Sequence, residues 1–193
     1  MRRINDNTVG KQVSNMIEAQ TRRTVRPTGV ECPYSEDELI VSKTDLKGRI
    51  TYANSVFLRL AKFPLDELLG APHSLIRHPD MPRCVFKLLW DTIQAKEEIF
   101  AYVLNMAKDG DHYWVFAHVT PTFDANQNIV GYHSNRRKPD AAQIEKVKPL
   151  YAALLAEENR HDSRKDGMLR GYDMLVNLLR DKGLDYDEFI FSI

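Results

Sequence analysis

The sequence predicts an α+β fold: a five-stranded antiparallel sheet with short helices on one face, a helix ahead of it and a helical extension behind it. Three observations carry this expectation. The order of patterns is two strand-like runs, several short helical runs, then three longer strand-like runs. Asp109-Gly110 separates two of the long apolar runs, which is a strong hairpin signal. Apolar residues return to helical spacing after residue 140.

Taken in order, Val9, Val13, Met16 and Ile17 predict a short amphipathic helix over 8–20. Residues 21–38, with Pro27, Gly29 and Pro33, read as an extended linker. LIVSKTD at 39–45 and RITYAN at 49–54 read as a hairpin joined through Leu46-Lys47-Gly48. SVFLRLAKF at 55–63 is a short helix stopped by Pro64, and PLDELLG adds a helical turn ended by Gly70. A longer helix runs from Pro82, well placed in its first turn, to Ala95. Its apolar face is Val85, Phe86, Leu89, Trp90 and Ile93. Strands IFAYVLNMAK, DHYWVFAHVTPT and NIVGYHSNRR follow, the last two separated at Asn126-Gln127. Helices are expected over 141–160 and 168–182, with a break at 161–167 and Gly183 as a C-cap. Phe189, Ile190, Phe191 and Ile193 form an apolar tail that needs a place to bury. The resulting division is 1–37, an N-terminal helix and linker; 38–140, the sheet domain; and 141–193, the C-terminal extension.

Composition narrows the function classes. With 27 basic and 27 acidic residues the net charge is zero, which argues against broad nucleic-acid or membrane electrostatics. Cys32 and Cys84 stand alone, so no disulfide framework, CxxC metal site or CxxCH haem attachment is present. No apolar run approaches the ~18 residues of a membrane span, and the N-terminus lacks a signal-peptide core. A cytoplasmic protein without direct membrane insertion is expected. Gly-x-Ser-x-Gly, P-loop, HExxH and dinucleotide glycine motifs are all absent, so a sensor is expected rather than an enzyme.

The stretch IRHPDMPRCVFKLLW crowds Arg77, His78 and Asp80 into a loop ahead of the long helix. Asp80 has the chemistry of an N-cap, and Asn54 can equally cap the helix starting at Ser55. Arg77 can fork two donors onto a phosphate, and His78 can stack or donate. On the middle long strand, His112, Trp114, Phe116 and His118 alternate with Tyr113, Val115, Ala117 and Val119. Which of those faces meets the helices is left open by the pattern, and Trp114 reads either as core or as a ligand wall.

The blocks KTDLKGRITYAN, ELLGAPHSLIRHPDMP and KDGDHYWV resemble PAS domains, and specifically the sensor domain of bacterial aerotaxis and energy-taxis receptors, over roughly residues 38–140. That resemblance implies a non-covalently held FAD whose redox state is the signal, with Asn54, Arg77, His78, Asp80 and Trp114 as cofactor-binding residues. It also implies a homodimer and, as the reader, a separate chemotaxis-type transducer or signalling protein, because the extension carries no kinase core or methyl-accepting coiled coil. Two alternatives stand beside it. One is b-type haem for gas sensing, with His73 or His78 as the iron ligand. The other is an interaction module without a redox cofactor. A light-activated cysteinyl-flavin chemistry is excluded by the absence of its Asn-Cys-Arg-Phe-Leu-Gln motif.

Overall fold

The computed structural model describes residues 25–193; the expected helix at 8–20 lies outside the described residues. Two short strands, β1 (Ile40–Thr44) and β2 (Ile50–Ala53), are followed by α1 (Ser55–Ala61), α2 (Leu65–Leu68), a 3-10 turn (His73–Ile76) and α3 (Arg83–Gln94). Strands β3 (Ile99–Met106), β4 (His112–Phe123) and β5 (Ile129–Arg137) come next, then α4 (Ala141–Asn159), α5 (Arg164–Lys182) and α6 (Tyr186–Ser192). The sheet is antiparallel in the order β2-β1-β5-β4-β3. This is the predicted sheet, with the tight Asp109-Gly110 hairpin at one end.

The strand period sorts the sheet into two faces. Ser42, Thr44, Val103, Asn105, Ala117, Val119, Tyr132 and Arg136 look toward α1–α3 and border a cavity. The alternate set, including Trp114 and Phe116, looks toward the C-terminal helices, where Trp114 packs on Tyr151 and Phe116 on Phe191. The extension therefore folds back onto the sheet.

Both sheet edges are partly covered, which reduces the unpaired backbone that invites edge association. On β3, Tyr151 Oη donates to the Tyr102 carbonyl at 2.6 Å and Tyr186 Oη to the Phe100 carbonyl at 2.9 Å. Arg77 forms a bridge to Asn105 on the same edge. At β2, Ile50 exchanges backbone hydrogen bonds with Gly70 and Ala71. The linker ahead of β1 is extended as expected and pairs with His112 at the start of β4.

Two C-terminal details differ from expectation. The break between α4 and α5 is shorter, because Ser163 caps α5 by accepting from Asp166 N. The apolar tail is a helix, α6, started by a reciprocal capping box between Asp185 and Glu188. It buries Ile190 and lays Phe191 on Phe100. Among the described residues no helix is long and apolar enough to cross a membrane.

Candidate functional site

The cavity between α3 and the inner face of the sheet encloses about 410 Å³. That lies within the ~300–1,000 Å³ of small-molecule sites. Helix α3 shapes one wall with Phe86, Leu89, Trp90 and Ile93. Spaced at i, i+3, i+4 and i+7, these four share one helix face. Val85, placed by sequence on the same face, is buried but does not line the cavity. Trp90 meets Tyr132 of β5 edge-on, with ring centroids 5.4 Å apart. Gly48, at φ +73°, lets the indole lie against the β1–β2 hairpin, because a Cβ there would fall 2.9 Å from Trp90 Cζ2.

Polar groups enter this apolar space from two places. On β5, Arg136 is 2% exposed and its Nη2 donates to Ser42 Oγ at 2.6 Å. Its guanidinium carbon sits 4.4 Å from the centre of the Phe57 ring, while Nε and Nη1 have no partner among the described residues. Burial pulls its pKa down to about 10, so it remains a cation at neutral pH. The Ser42 hydroxyl lies 3.3 Å from His73 Nε2. Burial, with Arg136 as the next cause, holds His73 at about 3, so its ring is neutral. The second grouping is Arg77 and Asn105, joined by their backbone bridge. Asn105 is buried and its Nδ2 has no partner among the described residues. Arg77 Nη2 donates to the Met81 carbonyl at 2.9 Å, and its guanidinium covers Phe86.

Of the five residues expected in the site, only Arg77 lines this cavity. The Asn54 side chain is occupied by backbone. Oδ1 accepts from Phe57 N at 3.0 Å and Val41 N at 3.1 Å, and Nδ2 donates to the Leu39 carbonyl at 2.7 Å. It caps α1 and ties β1 to it. The loop 77–81 straddles edge strand β3, so its successive side chains part company. Arg77 faces the inner cavity, whereas His78, Asp80 and Trp114 border a second cavity beneath α4. His78 is buried and its Nδ1 accepts from Asp80 N at 3.1 Å; burial lowers its pKa. Asp80 is exposed and orients neither Arg77 nor α3, whose N-cap is Pro82 with no side-chain cap. Of the two histidines considered for haem, His73 lines the inner cavity and His78 does not.

Ser42, Asn105 and Arg136 were not singled out from sequence, and His73 only as a candidate iron ligand. Period-2 alternation on β5 would have placed Arg136 beside Tyr132 and Ser134 on one face. Arg136 sits in an Asn-Arg-Arg-Lys run that reads as a solvated strand end, and that masked it.

Residues 50–136 match the family model described as PAS fold. The chain is 41% identical over 124 residues to the aerotaxis receptor of Escherichia coli, covering 64% of this chain and 24% of the receptor. It is 29% identical over 97 residues to the nitrogen fixation regulatory protein of Klebsiella pneumoniae, covering 50% of this chain and 20% of that protein. The chain thus spans about a quarter or less of the length of these curated relatives. A light-oxygen-voltage domain studied with a flavin analogue superposes with a TM-score of 0.52 at 23% identity, covering 64% of this chain and 90% of that one. That likeness bears on the fold alone. A five-stranded sheet in this order, short helices on its inner face and the match over 50–136 together show that these residues form a PAS fold.

Proposed function

We propose that the protein is a cytoplasmic redox sensor that holds a flavin, FAD, in the inner cavity and signals to a separate transducer through its C-terminal helices. The observation that carries this reading is the pairing of flat apolar walls with buried donors that have no partner among the described residues: Asn105 Nδ2 and Arg136 Nε and Nη1. Buried polar groups are rarely left unpaired, so these donors fit a ligand rich in acceptors. An isoalloxazine ring has that character, apolar at one end and carbonyl-rich at the other. The similarity to an aerotaxis receptor supports the same reading.

In this proposal Phe86, Leu89, Trp90 and Ile93 take the ring's apolar surface and exclude water. Arg77, half-buried, is the partner for a phosphate tail. A bound flavin supplies reversible electron transfer, and the chain's part is to answer the change at the ring. The route outward begins at α3, which lines the cavity on one side and meets α4 and α5 on the other. Helix α5 leaves Leu169, Met174 and Val176 partly exposed, apolar surface suited to a second copy or a transducer.

The test is an absorption spectrum of freshly purified protein before and after dithionite. Flavin bands that bleach on reduction are expected. A Soret band would replace this reading with haem and make His73 the ligand to examine first. A spectrum without visible bands, unchanged after adding FAD and haem, would leave a PAS interaction module.

A further inference from the structure

Arg136 combines three properties rarely met in one side chain. It is buried to 2% exposure, it is charged at neutral pH, and among the described residues no carboxylate pairs with it. Its neighbours are the Ser42 hydroxyl, the face of Phe57 and the phenols of Tyr34 and Tyr113. A buried charge without a counter-charge is costly, and a cation–π contact offsets only part of that cost. His73, linked through Ser42, is neutral and cannot neutralise it. A fold that retains such a group has placed it for a ligand.

A phosphate does not suit this position. It would lose its hydration in a mostly apolar cavity, whereas Arg77 offers a guanidinium that is less buried. A conjugated ring edge bearing carbonyls does suit it. Such an edge accepts from Nε or Nη1 and can spread negative charge over its π system.

Resting on the flavin reading above, we propose that Arg136 grips the ligand's ring at its carbonyl-rich edge. The cavity then selects its ligand by the ring rather than by the phosphate tail.

The experiment measures binding of riboflavin, FMN and FAD to the full chain by equilibrium dialysis. The proteins are the wild type, Arg136→Gln and Arg136→Lys, with far-UV circular dichroism and melting temperature recorded without ligand. The wild type is expected to bind all three flavins. Arg136→Gln should weaken all three by the same factor, roughly 10–100-fold for a lost charge-assisted contact. Without ligand this variant should melt no lower than the wild type, since an unpaired buried charge has been removed. Loss confined to FMN and FAD would make Arg136 a phosphate partner and overturn the proposal. So would unchanged binding, or a melting temperature that falls in step with affinity. If Arg136→Gln does not fold, Arg136→Lys decides: it keeps the charge but not the planar donors. A uniform loss across the three flavins supports the assignment, and full affinity overturns it. Failure of the wild type to bind any flavin refutes the functional reading itself, which is seen before any variant is made.

Discussion

Glu158, near the end of α4, accepts a hydrogen bond from the backbone N–H of Cys84 in the first turn of α3 at 2.7 Å. Its other oxygen lies 3.0 Å from Arg83 Nε, and its side chain is fully buried. Helix α3 has no capping side chain of its own, so a carboxylate from the C-terminal extension satisfies its N-terminal donor and complements its dipole. The cavity wall and the extension are thereby joined through one buried contact.

Glu158→Ala should therefore destabilise the protein by about 3 kcal/mol, the lower end of ~3–5 kcal/mol for breaking a buried pair, because Arg83 keeps some solvent access. Gly171→Ala is the companion change. Its Cβ would lie 2.9 Å from Glu158 Cγ and 3.2 Å from Cys84 Sγ, so ~1–3 kcal/mol of overpacking is expected. In the double variant the second cost should shrink, because truncating the Glu158 side chain leaves room for the new methyl. Urea unfolding of the four proteins checks this; strictly additive losses would refute the shared contact.

Asn54→Ala separates capping from ligand binding. Three hydrogen bonds join Asn54 to Val41, Phe57 and Leu39, so a loss of ~1–2 kcal/mol is expected for the cap. Flavin affinity, measured well below the melting temperature, should stay within a factor of two. A large affinity loss with unchanged stability would put Asn54 back in the site.

The half-buried His73 makes stability depend on pH in a defined direction. Its folded pKa is about 3 because of burial, then Arg136, against ~6.5 in an unfolded chain. Below pH 6.5 the unfolded chain binds a proton that the folded one refuses. Stability from this group is therefore full above pH 6.5 and falls as pH drops toward 3. His78, lowered by burial, acts in the same sense. His73→Phe, which keeps the stack on Phe57, should flatten the change in urea midpoint between pH 7 and 5. An identical slope in the variant would show that His73 is solvated in solution.

Gly48→Ala tests the cavity mouth. The residue has φ +73° and its new Cβ would fall 2.9 Å from Trp90 Cζ2. Backbone strain and the displaced indole together should cost ~1–3 kcal/mol. Ligand affinity should fall as well, because Trp90 forms part of the wall. A variant with wild-type near-UV circular dichroism and affinity would show that Trp90 has room to move.

Local patterns in the chain were enough for the sheet. Alternation, the Asp109-Gly110 turn and Pro82 ahead of an amphipathic run each act within a few residues, and all appear where expected. The faces were legible as sets but not as directions. Tyr113 and Val115 alternate with Trp114 and Phe116 in the sequence, yet only strand order and the return of α4 and α6 decide which set meets the cavity. The Asp185–Glu188 capping box was readable too, but seven residues form a stable helix only when packed, and α6 packs on β3.

The candidate site divides the same way. Sequence by itself marked the loop with Arg77, His78 and Asp80 as unusual. Tertiary structure decided that the loop crosses edge strand β3 and sends those side chains into different spaces. It also decided that Arg136, Ser42, His73 and Phe57, from four separate elements, converge. Burial of a charge depends on what neighbouring strands and helices place around it, and no local spacing encodes that.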